Sequence, residues 1–393
     1  MKIKDIKEKN ISKILNCLRK NENISKKDLS QLIHLSPSTL TEICTILLEK
    51  NMIVETGTLN TDKPGRKKVL LTINYDYRKV IGIDIKKNFV SFVCTNLKGE
   101  KLHEESMKMD TAEPYDFIKN LLSKLDKFMT GNRIMKKETL GIGVSIVGAV
   151  DFQEKSTLDF IGFWNEIVPL GKILEEKTGL PVCLNNNVKN LAIQQMFLDE
   201  KLEDFFLLKY GTGVGGSLVI KKELFKRDSS LSGEIGHSIV TNDEAICPIC
   251  RRKGCFEKNF SEVAVEQKIR KIFSKVETPV LYAMTGGDER LISFEMLLKA
   301  GEAGEIRVLT LLEEIAEHLA VLLLNMFTLF YPQKIVLCGK IFKNDLFVNY
   351  LFSFIHKKQI LDFKKIIEVS AISSEDERSA PIYSVLKEKF YLF

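Results

Sequence analysis

The residues with the clearest chemical pattern are three cysteines within nine positions and a histidine ten residues before them. Cys247, Cys250 and Cys255 follow the spacing C-x2-C-x4-C, and His237 lies upstream. Three thiolates and one imidazole make a tetrahedral Cys3His zinc site. Because four protein ligands leave no position for a reactive water, we predict that this Zn2+ has a structural role. The alternative interpretation is that the three cysteines are ordinary core residues.

Four further segments combine glycine or polar residues with the ends of predicted strands. Residues 211–216 (GTGVGG) hold four glycines in six positions, and glycine lets backbone amides approach an anion. A phosphate-cradling turn and a tight β-hairpin are equally consistent with that segment. Residues 81–87 (IGIDIKK) contain a strand that ends in an acid, residues 184–187 (LNNN) follow another strand, and residues 233–237 read GEIGH. None of these segments identifies a reaction by itself.

The first 50 residues have the pattern of a helix-turn-helix. Apolar residues repeat at helical spacing over 11–18, and Ser25 with Asp28 forms a capping-box pattern that predicts a second helix. Ser36 and Pro37 are a typical N-cap and first-turn pair, so a third helix is predicted to begin there. The predicted inward positions of the third helix are Leu40, Ile43, Leu47 and Leu48, and the outward positions are Ser38, Thr39, Thr41 and Glu42.

A β-ribbon with a basic tip follows these helices and completes a winged helix-turn-helix. Its strands are predicted over 52–55 and 69–73, and its tip reads KPGRKK over 63–68. Such a wing can place an arginine in a narrow minor groove while the third helix enters the major groove. The third helix has no Arg or Lys over 36–49, so another element must read guanine. The predicted DNA contacts are Lys26, Ser36, Ser38, Thr39, Thr41, Lys63, Gly65, Arg66 and Lys67.

The charge distribution supports a nucleic-acid partner for this segment. The chain of 393 residues has 58 Lys and Arg against 52 Asp and Glu, a net charge of +6. Residues 1–79 hold 16 of these cations and 9 of the acids, so they carry +7 and the remainder carries −1. Positive charge confined to one end is typical of a DNA-binding head on a neutral body. A lysine-rich surface without a nucleic-acid partner would explain the charge alone, and a small protein–protein module would explain the helices but not the wing.

Length and composition exclude several classes of protein. With 45% hydrophobic and 28% charged residues, the chain is not disordered, collagen-like or a disulfide-rich mini-protein. Its longest apolar stretch, over 319–330, is shorter than the ~20 residues that span a bilayer. The charged N-terminus MKIKDIKEKN does not resemble a signal peptide, and five cysteines are scattered singly. We therefore expect a cytoplasmic protein without a membrane partner.

The rest of the chain alternates strands with helices. Strands over 80–84 and 89–95 are predicted to form a hairpin, residues 140–147 a buried strand, and residues 114–129 an amphipathic helix. This alternation predicts α/β layers. The helix predicted over 306–330 is rich in leucine, so it serves either as a core helix or as part of a subunit interface.

These motifs together resemble the ROK family, which contains bacterial sugar kinases and sugar-responsive repressors. The winged helix-turn-helix, GIGVSIVGAVD over 141–151, GTGVGG, GEIGH and the cysteine cluster occur in the family's order, although the family usually has C-x-C for the first cysteine pair. The resemblance implies an actin-like (ribonuclease H-like) two-lobed α/β body, preceded by an α+β winged helix-turn-helix domain. The implied domains are 1–76 for the head, 77–190 with 376–393 packed against it for the first lobe, and 191–375 with the zinc loop for the second lobe.

The resemblance also implies a sugar site. The implied sugar contacts are Asn186, Asn187, Glu234, His237 and Glu257. His237 would serve both the sugar and the metal, because an imidazole that binds metal through one nitrogen keeps the other N–H for a sugar oxygen. ROK kinases have an aspartate general base where this chain has Asn187. An amide cannot take the proton, which costs roughly 10²–10⁴ in rate.

The nucleotide motifs of the family are also altered. Residues 84–88 read DIKKN where the kinases follow the aspartate with glycines and a threonine. The later glycine pair reads Cys338-Gly339, and a Gly-Ala-Ala helix start is Ser-Ala-Pro over 379–381. Only GTGVGG remains of the family's nucleotide-binding pattern. We therefore expect neither catalytic residues nor ATP as a cofactor, because phosphoryl transfer needs both positioning and charge neutralisation.

The sequence thus predicts a DNA-binding transcriptional regulator, specifically a repressor of carbohydrate uptake or metabolism genes. The expected partners are operator DNA, a sugar or sugar-phosphate effector, and a second copy in a homodimer or tetramer. Two heads bound to the two halves of a pseudo-palindromic site are fixed in position on the DNA and bind with higher avidity than one head. Closure of the lobes on the effector would change the spacing of the heads. Two alternatives stay open: a sugar kinase with a DNA-binding head, and a regulator controlled by a protein partner.

Overall fold

A computed structural model gives two compact units. The residues that it describes are 3–59, 68–225, 232–358 and 363–392. The first unit comprises 1–158, 166–194 and 376–393, and the second comprises 159–165 and 195–375. The functional division into a head and two lobes, with the boundaries that the resemblance implies, stays a prediction.

The N-terminal segment folds as three helices and an antiparallel ribbon. Its elements are α1 (Ile3–Lys20), β1 (Ile24–Ser25), α2 (Lys26–Ile33), α3 (Pro37–Glu49), β2 (Ile53–Leu59) and β3 (Lys68–Ile73). The Ser25 hydroxyl accepts from the Asp28 N–H at 3.2 Å, and the Ser36 hydroxyl accepts from the Thr39 N–H at 3.2 Å. Both predicted helix caps are therefore confirmed. Strand β3 pairs with β1 and β2, which joins the ribbon to the helices.

A small apolar core holds this head together. The inward-facing side chains of α1 and α3 are fully or almost fully buried, as the helical periodicity predicts; they are Ile14, Leu15, Leu18, Leu40, Ile43 and Leu47. Leu48, also predicted to point inward, is half-buried. The opposite face of α3 is thereby turned to solvent.

A mixed five-stranded sheet follows the head in the first unit. The elements are β4 (Lys79–Lys86), β5 (Phe89–Thr95), β6 (Lys101–Lys108), α4 (Pro114–Gly131), β7 (Thr139–Ile146), β8 (Val150–Asp151), β9 (Ser156–Thr157), α5 (Leu170–Thr178), β10 (Val182–Asn186) and α6 (Asn187–Leu198). The strand order is β10-β7-β4-β5-β6, and β10, β7 and β4 are parallel. The register aligns Ile85, Ile146 and Asn186, so the carboxyl ends of three parallel strands meet at one edge.

The second unit is built around another mixed five-stranded sheet. Its elements are β11 (Phe205–Tyr210), β12 (Val214–Ile220), β13 (Glu223–Leu224), α7 (Phe256–Phe260), α8 (Glu262–Ile272), α9 (Pro279–Thr285), α10 (Phe294–Glu302), α11 (Ile306–Phe330), β14 (Lys334–Cys338), α12 (Asp345–Lys358) and β15 (Ile367–Val369). The strand order is β13-β12-β11-β14-β15, in which β11 and β12 form an antiparallel hairpin. Helix α11 buries nine apolar side chains, so the leucine-rich segment is a core helix.

The C-terminal segment belongs to the first unit. It forms α13 (Ala380–Val385), continued by a π-helical stretch over Leu386–Tyr391, and α13 packs across β4, β7 and β10. Gly143 in β7 allows this packing, because a Cβ there would lie 1.9 Å from the Pro381 carbonyl oxygen. At the other end of the segment, the Asn16 side chain of α1 donates to the Tyr391 carbonyl at 3.3 Å.

The element predictions for the body are confirmed, with some changed ends. The predicted hairpin corresponds to β4 and β5, the buried strand to β7, and the helix over 306–330 to α11 with the same bounds. All eight cysteines lie among the described residues and are buried, and none of them forms a disulfide. No helix in the described ranges has the length and apolarity to cross a membrane.

Candidate functional sites

The candidate recognition surface of the head is the outer face of α3. Ser38, Thr41, Glu42 and Thr45 are all exposed, and their spacing places them side by side along the helix. Thr39 is half-buried, with its hydroxyl 2.8 Å from that of Ser36. This face therefore offers hydroxyls and one carboxylate but no cation, as the sequence indicates for α3.

The predicted DNA contacts outside α3 fall into two groups. Lys26 is the first residue of α2 and is half-buried. The wing-tip residues Lys63, Gly65, Arg66 and Lys67 lie outside the described residues. Strands β2 and β3, which lead to this tip, are antiparallel as predicted. Contact of any of these residues with DNA stays a prediction.

The four predicted metal ligands converge in the second unit. His237, Cys247, Cys250 and Cys255 are buried, and their ligand atoms all lie within 4.8 Å of one another. Cys247 Sγ is 3.9 Å from His237 Nδ1. A tetrahedral zinc ion with typical Zn–S and Zn–N bonds separates its sulfur and nitrogen ligands by about 3.6 Å. The donor set and its dimensions thus fit Zn2+, with Nδ1 as the imidazole ligand.

The surroundings of the cluster favour the metal-binding protonation state of Cys247 and His237, whereas burial raises the pKa of Cys255 to about 12. Burial opposes ionisation of Cys247, but the backbone N–H groups of Cys250 and Ile249 donate to its sulfur and lower its pKa. Burial, assisted by the charge of Arg252, also lowers the pKa of His237. A neutral imidazole and a stabilised thiolate are both suited to metal ligation.

Glu257 connects this cluster to the glycine-rich hairpin. Its Oε1 lies 3.9 Å from His237 Nε2, and its Oε2 accepts from the Val214 N–H at 2.7 Å. Its side chain is only 17% exposed, and this burial raises the pKa of its carboxyl. His237 therefore directs Nδ1 to the thiols and Nε2 to a carboxylate. That arrangement is expected when one ring nitrogen binds metal and the other donates a hydrogen bond.

The GTGVGG segment forms a tight β-hairpin, the second of the two alternatives that the sequence leaves open. The turn occupies 211–213, between β11 and β12, and the last two glycines lie within β12. The glycines of GEIGH pack against this strand. A Cβ on Gly233 would lie 2.1 Å from the Gly216 carbonyl oxygen, and one on Gly236 would lie 2.2 Å from that of Val214. These glycines are therefore needed for backbone packing beside the metal cluster.

The asparagine segment lies at the carboxyl edge of the first sheet. Asn186 donates its Nδ2 to the Gly148 carbonyl at 2.8 Å, and its Oδ1 accepts from the Val188 N–H at 2.8 Å. Its side chain is thus fixed at the start of α6. Asn187, the first residue of α6, is half-buried, and its side-chain amide has no hydrogen-bond partner among the described residues. Glu234, in the second unit, is half-buried, and its carbonyl accepts from the His237 N–H at 3.1 Å.

An ion pair that was not predicted from the sequence lies at the same edge as the asparagines. Asp84 is almost fully buried near the end of β4, and Lys86 Nζ is 3.2 Å from its Oδ2. The pair forms because β4 continues through Lys86 before the turn at Asn88, where φ is 56°. A buried carboxylate needs a compensating cation, and here the chain supplies one itself. Side chains alternate along a strand, so Asp84 and Lys86 lie on one face when the strand continues to Lys86. The strand predicted from the sequence ended at residue 84, and the pair could not be seen from it.

Comparison with known proteins relates both parts of the chain to described families. Residues 80–382 match the ROK family, and residues 7–54 match winged helix-turn-helix DNA-binding domains. The chain is 27% identical over 381 residues to the xylose repressor of Caldicellulosiruptor bescii, covering 93% of this chain and 92% of that protein. A crystal structure of a ROK family transcriptional regulator, a homolog of the Escherichia coli Mlc protein, aligns with a TM-score of 0.83 and 19% identity, covering 98% and 97% of the two chains.

A kinase of the same fold also aligns with the body. The structure of a ROK family glucokinase from Streptomyces griseus, with glucose and AMPPNP, gives a TM-score of 0.65 at 19% identity, covering 79% of this chain and 99% of that one. At these identities the solved structures show the fold alone, and they confirm the predicted actin-like sugar-kinase fold behind a winged head. The family match covers about three quarters of the sequence. The chain therefore belongs to the ROK family and carries an N-terminal winged helix-turn-helix.

Proposed function

We propose that this chain is a sequence-specific DNA-binding transcriptional regulator that represses genes for carbohydrate uptake or metabolism. The observation that carries this proposal is the combination, in one chain, of a winged helix-turn-helix head and a ROK body. The head has an exposed recognition face on α3. Similarity to a protein named xylose repressor extends over both parts. In this proposal the head binds operator DNA and the body senses a carbohydrate signal.

The effector is a sugar or sugar phosphate, bound through Asn186, Asn187, Glu234, His237 and Glu257. His237 Nε2 and Glu257 Oε1 lie 3.9 Å apart, so a donor and an acceptor stand beside each other. A hydroxyl group both donates and accepts hydrogen bonds, which suits such a pair. The Asn187 amide, which has no partner among the described residues, offers a second donor and acceptor. This chemistry favours a ligand with several hydroxyl groups.

A structural Zn2+ is held by His237, Cys247, Cys250 and Cys255. When bound, the ion would join the loop that carries the cysteines to the turn that carries His237 and would fix the imidazole tautomer. The four buried ligands and their mutual distances support this assignment. Because His237 also belongs to the proposed sugar site, the metal would orient one sugar contact.

The body binds its sugar without phosphorylating it, and ATP is not a cofactor. Asn187 stands where ROK kinases have their general base, and an amide cannot accept the hydroxyl proton. At the family's first phosphate loop, β4 runs on as an extended strand and Lys86 neutralises Asp84. Both features support a regulator that has lost phosphoryl transfer. Measurable ATP-dependent phosphorylation of a hexose by the purified chain would instead favour a kinase with a DNA-binding head.

A homodimer is the proposed operator-binding form. Two winged heads can occupy both halves of a pseudo-palindromic site, which fixes their register and increases avidity. The effector changes operator affinity only if it binds the competent and incompetent arrangements of the dimer with different affinities.

Thermal unfolding with a panel of sugars, amino sugars and their 6-phosphates tests this function. An effector at a hundred times its dissociation constant stabilises the native state by about 2.7 kcal/mol, which is visible as a raised melting temperature. Operator binding is then measured by fluorescence anisotropy with and without that sugar. A flat panel, together with operator affinity that no sugar alters, would refute the sensor and favour control by a protein partner.

A further inference from the structure

The hydroxyl groups on the recognition face of α3 are engaged within the helix. Thr41 donates its hydroxyl to the Pro37 carbonyl at 2.7 Å, and Thr45 donates to the Thr41 carbonyl at 2.9 Å. The Ser38 hydroxyl lies 3.0 Å from that of Ser36, which also caps the helix. Each hydroxyl has a single proton, so these threonines have already used their donor. They are poorly placed to donate a hydrogen bond to the edge of a base.

Glu42 is the exception on this face. Its side chain is 69% exposed and makes no hydrogen bond within α3, and it faces Lys7 of α1 at a distance of 3.9 Å. Ion pairs between exposed side chains contribute little, so this contact orients the carboxylate without occupying it. Glu42 lies in the second turn of α3, and residues of the N-terminal part of a recognition helix reach the base edges. The recognition face thus presents one strong, exposed acceptor.

The chemistry of the major groove restricts what an ionised carboxylate can contact. In the major groove guanine presents two acceptors, and thymine presents an acceptor and a methyl group. Neither base offers a hydrogen-bond donor to a carboxylate there. Cytosine presents a lone N4 amino donor, whereas adenine places an N7 acceptor beside its amino group. On the basis of the proposed DNA-binding function, we propose that Glu42 determines operator specificity by accepting a hydrogen bond from the N4 amino group of a cytosine.

Selection from a random duplex pool with the purified full chain tests this assignment. The wild-type protein should enrich a site with cytosine at one position of each half-site. Glu42→Gln should change that position to adenine, because glutamine can bond adenine at N6 and N7 together. Glu42→Ala should lose the preference at that position and keep the preferences elsewhere. In competition binding, replacement of the cytosine should weaken binding of wild type by between about fivefold and about 150-fold, and binding of Glu42→Ala by less than about twofold.

Glu49 provides the matched control. It is an exposed acid on the same helix, seven residues further on and in the last turn. Glu49→Gln removes the same charge, so it should leave the selected sequence unchanged. Equal circular dichroism spectra and melting temperatures would establish that all the variants fold, as expected for exposed positions.

Three results would overturn the inference. The first is that wild type, Glu42→Gln and Glu42→Ala select the same base at every position. The second is that Glu49→Gln alters the selected sequence as Glu42→Gln does, since the effect would then be one of net charge. The third is that the wild-type chain enriches no sequence. That result would refute the proposed DNA-binding function itself, whereas the first two leave that function standing.

Discussion

Replacement of Glu257 by alanine should destabilise the second unit, because it removes the acceptor for a largely buried backbone donor. Glu257 Oε2 accepts from the Val214 N–H at 2.7 Å, and the Glu257 side chain is mostly shielded from solvent. An unsatisfied buried donor costs about 1–3 kcal/mol. In a domain of this size each kcal/mol lowers the melting temperature by about 2–4 °C. Glu257→Ala should therefore melt roughly 2–12 °C below wild type.

Glutamine at the same position separates the stabilising contact from the proposed sugar contact. The amide oxygen of Glu257→Gln can still accept from the Val214 N–H, although as a neutral acceptor, so its melting temperature should lie between those of Glu257→Ala and wild type. Hydrogen bonds to a charged acceptor are about twice as strong as neutral ones. The dissociation constant of the effector should consequently rise by roughly tenfold in Glu257→Gln, a loss of about 1.4 kcal/mol.

Thermal unfolding of the full chain, with and without the effector, measures both quantities. Zinc content is determined for each variant, so that loss of metal is not mistaken for loss of the hydrogen bond. If Glu257→Ala melted with wild type at equal zinc content, the Val214 contact would carry no stability. If Glu257→Gln melted as low as Glu257→Ala, the charge of the carboxylate would be the stabilising factor instead.

Three further substitutions test the metal site, the loss of catalysis and the packing of the C-terminal segment. Cys250→Ser should bind less than one equivalent of zinc by elemental analysis and should melt earlier; full zinc occupancy would contradict the ligand assignment. Asn187→Asp should show no hexose-dependent ADP release from ATP, because Lys86 still occupies the edge beside Asp84; turnover above background would contradict this. Gly143→Ala should lose about 1–3 kcal/mol or more in urea unfolding, because its Cβ would fall 1.9 Å from a carbonyl oxygen. Gly131→Ala, with open space around it, should change stability by less than about 1 kcal/mol, and equal losses in the two variants would refute the packing argument.

Features that depend on short-range pattern were predictable from the sequence. The caps at Ser25 and Ser36 follow from the hydroxyl that opens each helix, and both accept the expected backbone N–H. The bounds of α11 follow from a long apolar repeat. Strand ends were less predictable, because a strand continues as long as a partner pairs with it. Strand β4 extends to Lys86 because Phe89 of β5 lies opposite it.

In the candidate sites, too, features set by short-range sequence pattern were predictable, whereas contacts between distant residues were not. The four residues of the candidate metal site could be identified because cysteine and histidine at such spacing have few other uses, and the structure brings them together. The bond from Val214 to Glu257 could not be, because it joins residues 43 positions apart and depends on how a hairpin packs against a helix. The GTGVGG segment was ambiguous because glycine permits both a phosphate-binding turn and close backbone packing. The close approach of Gly233 to Gly216 and of Gly236 to Val214 accounts for the packing.

Loss of catalysis in the proposed regulator does not require loss of binding, since the two depend on different atoms. An asparagine at 187 still donates and accepts hydrogen bonds, so it could bind a sugar hydroxyl. It could not act as the general base that removes the proton of that hydroxyl. Because of the Asp84–Lys86 ion pair, a single substitution at Asn187 is not expected to restore catalysis. If Lys86 alone were removed, the buried Asp84 carboxylate would lose the cation that lies 3.2 Å from it, which would destabilise the first unit. If Asn187 alone were restored to aspartate, the ammonium group would remain at the same edge. In the proposed regulator, phosphoryl transfer would therefore require changes at both positions together, whereas the proposed sugar binding would require neither.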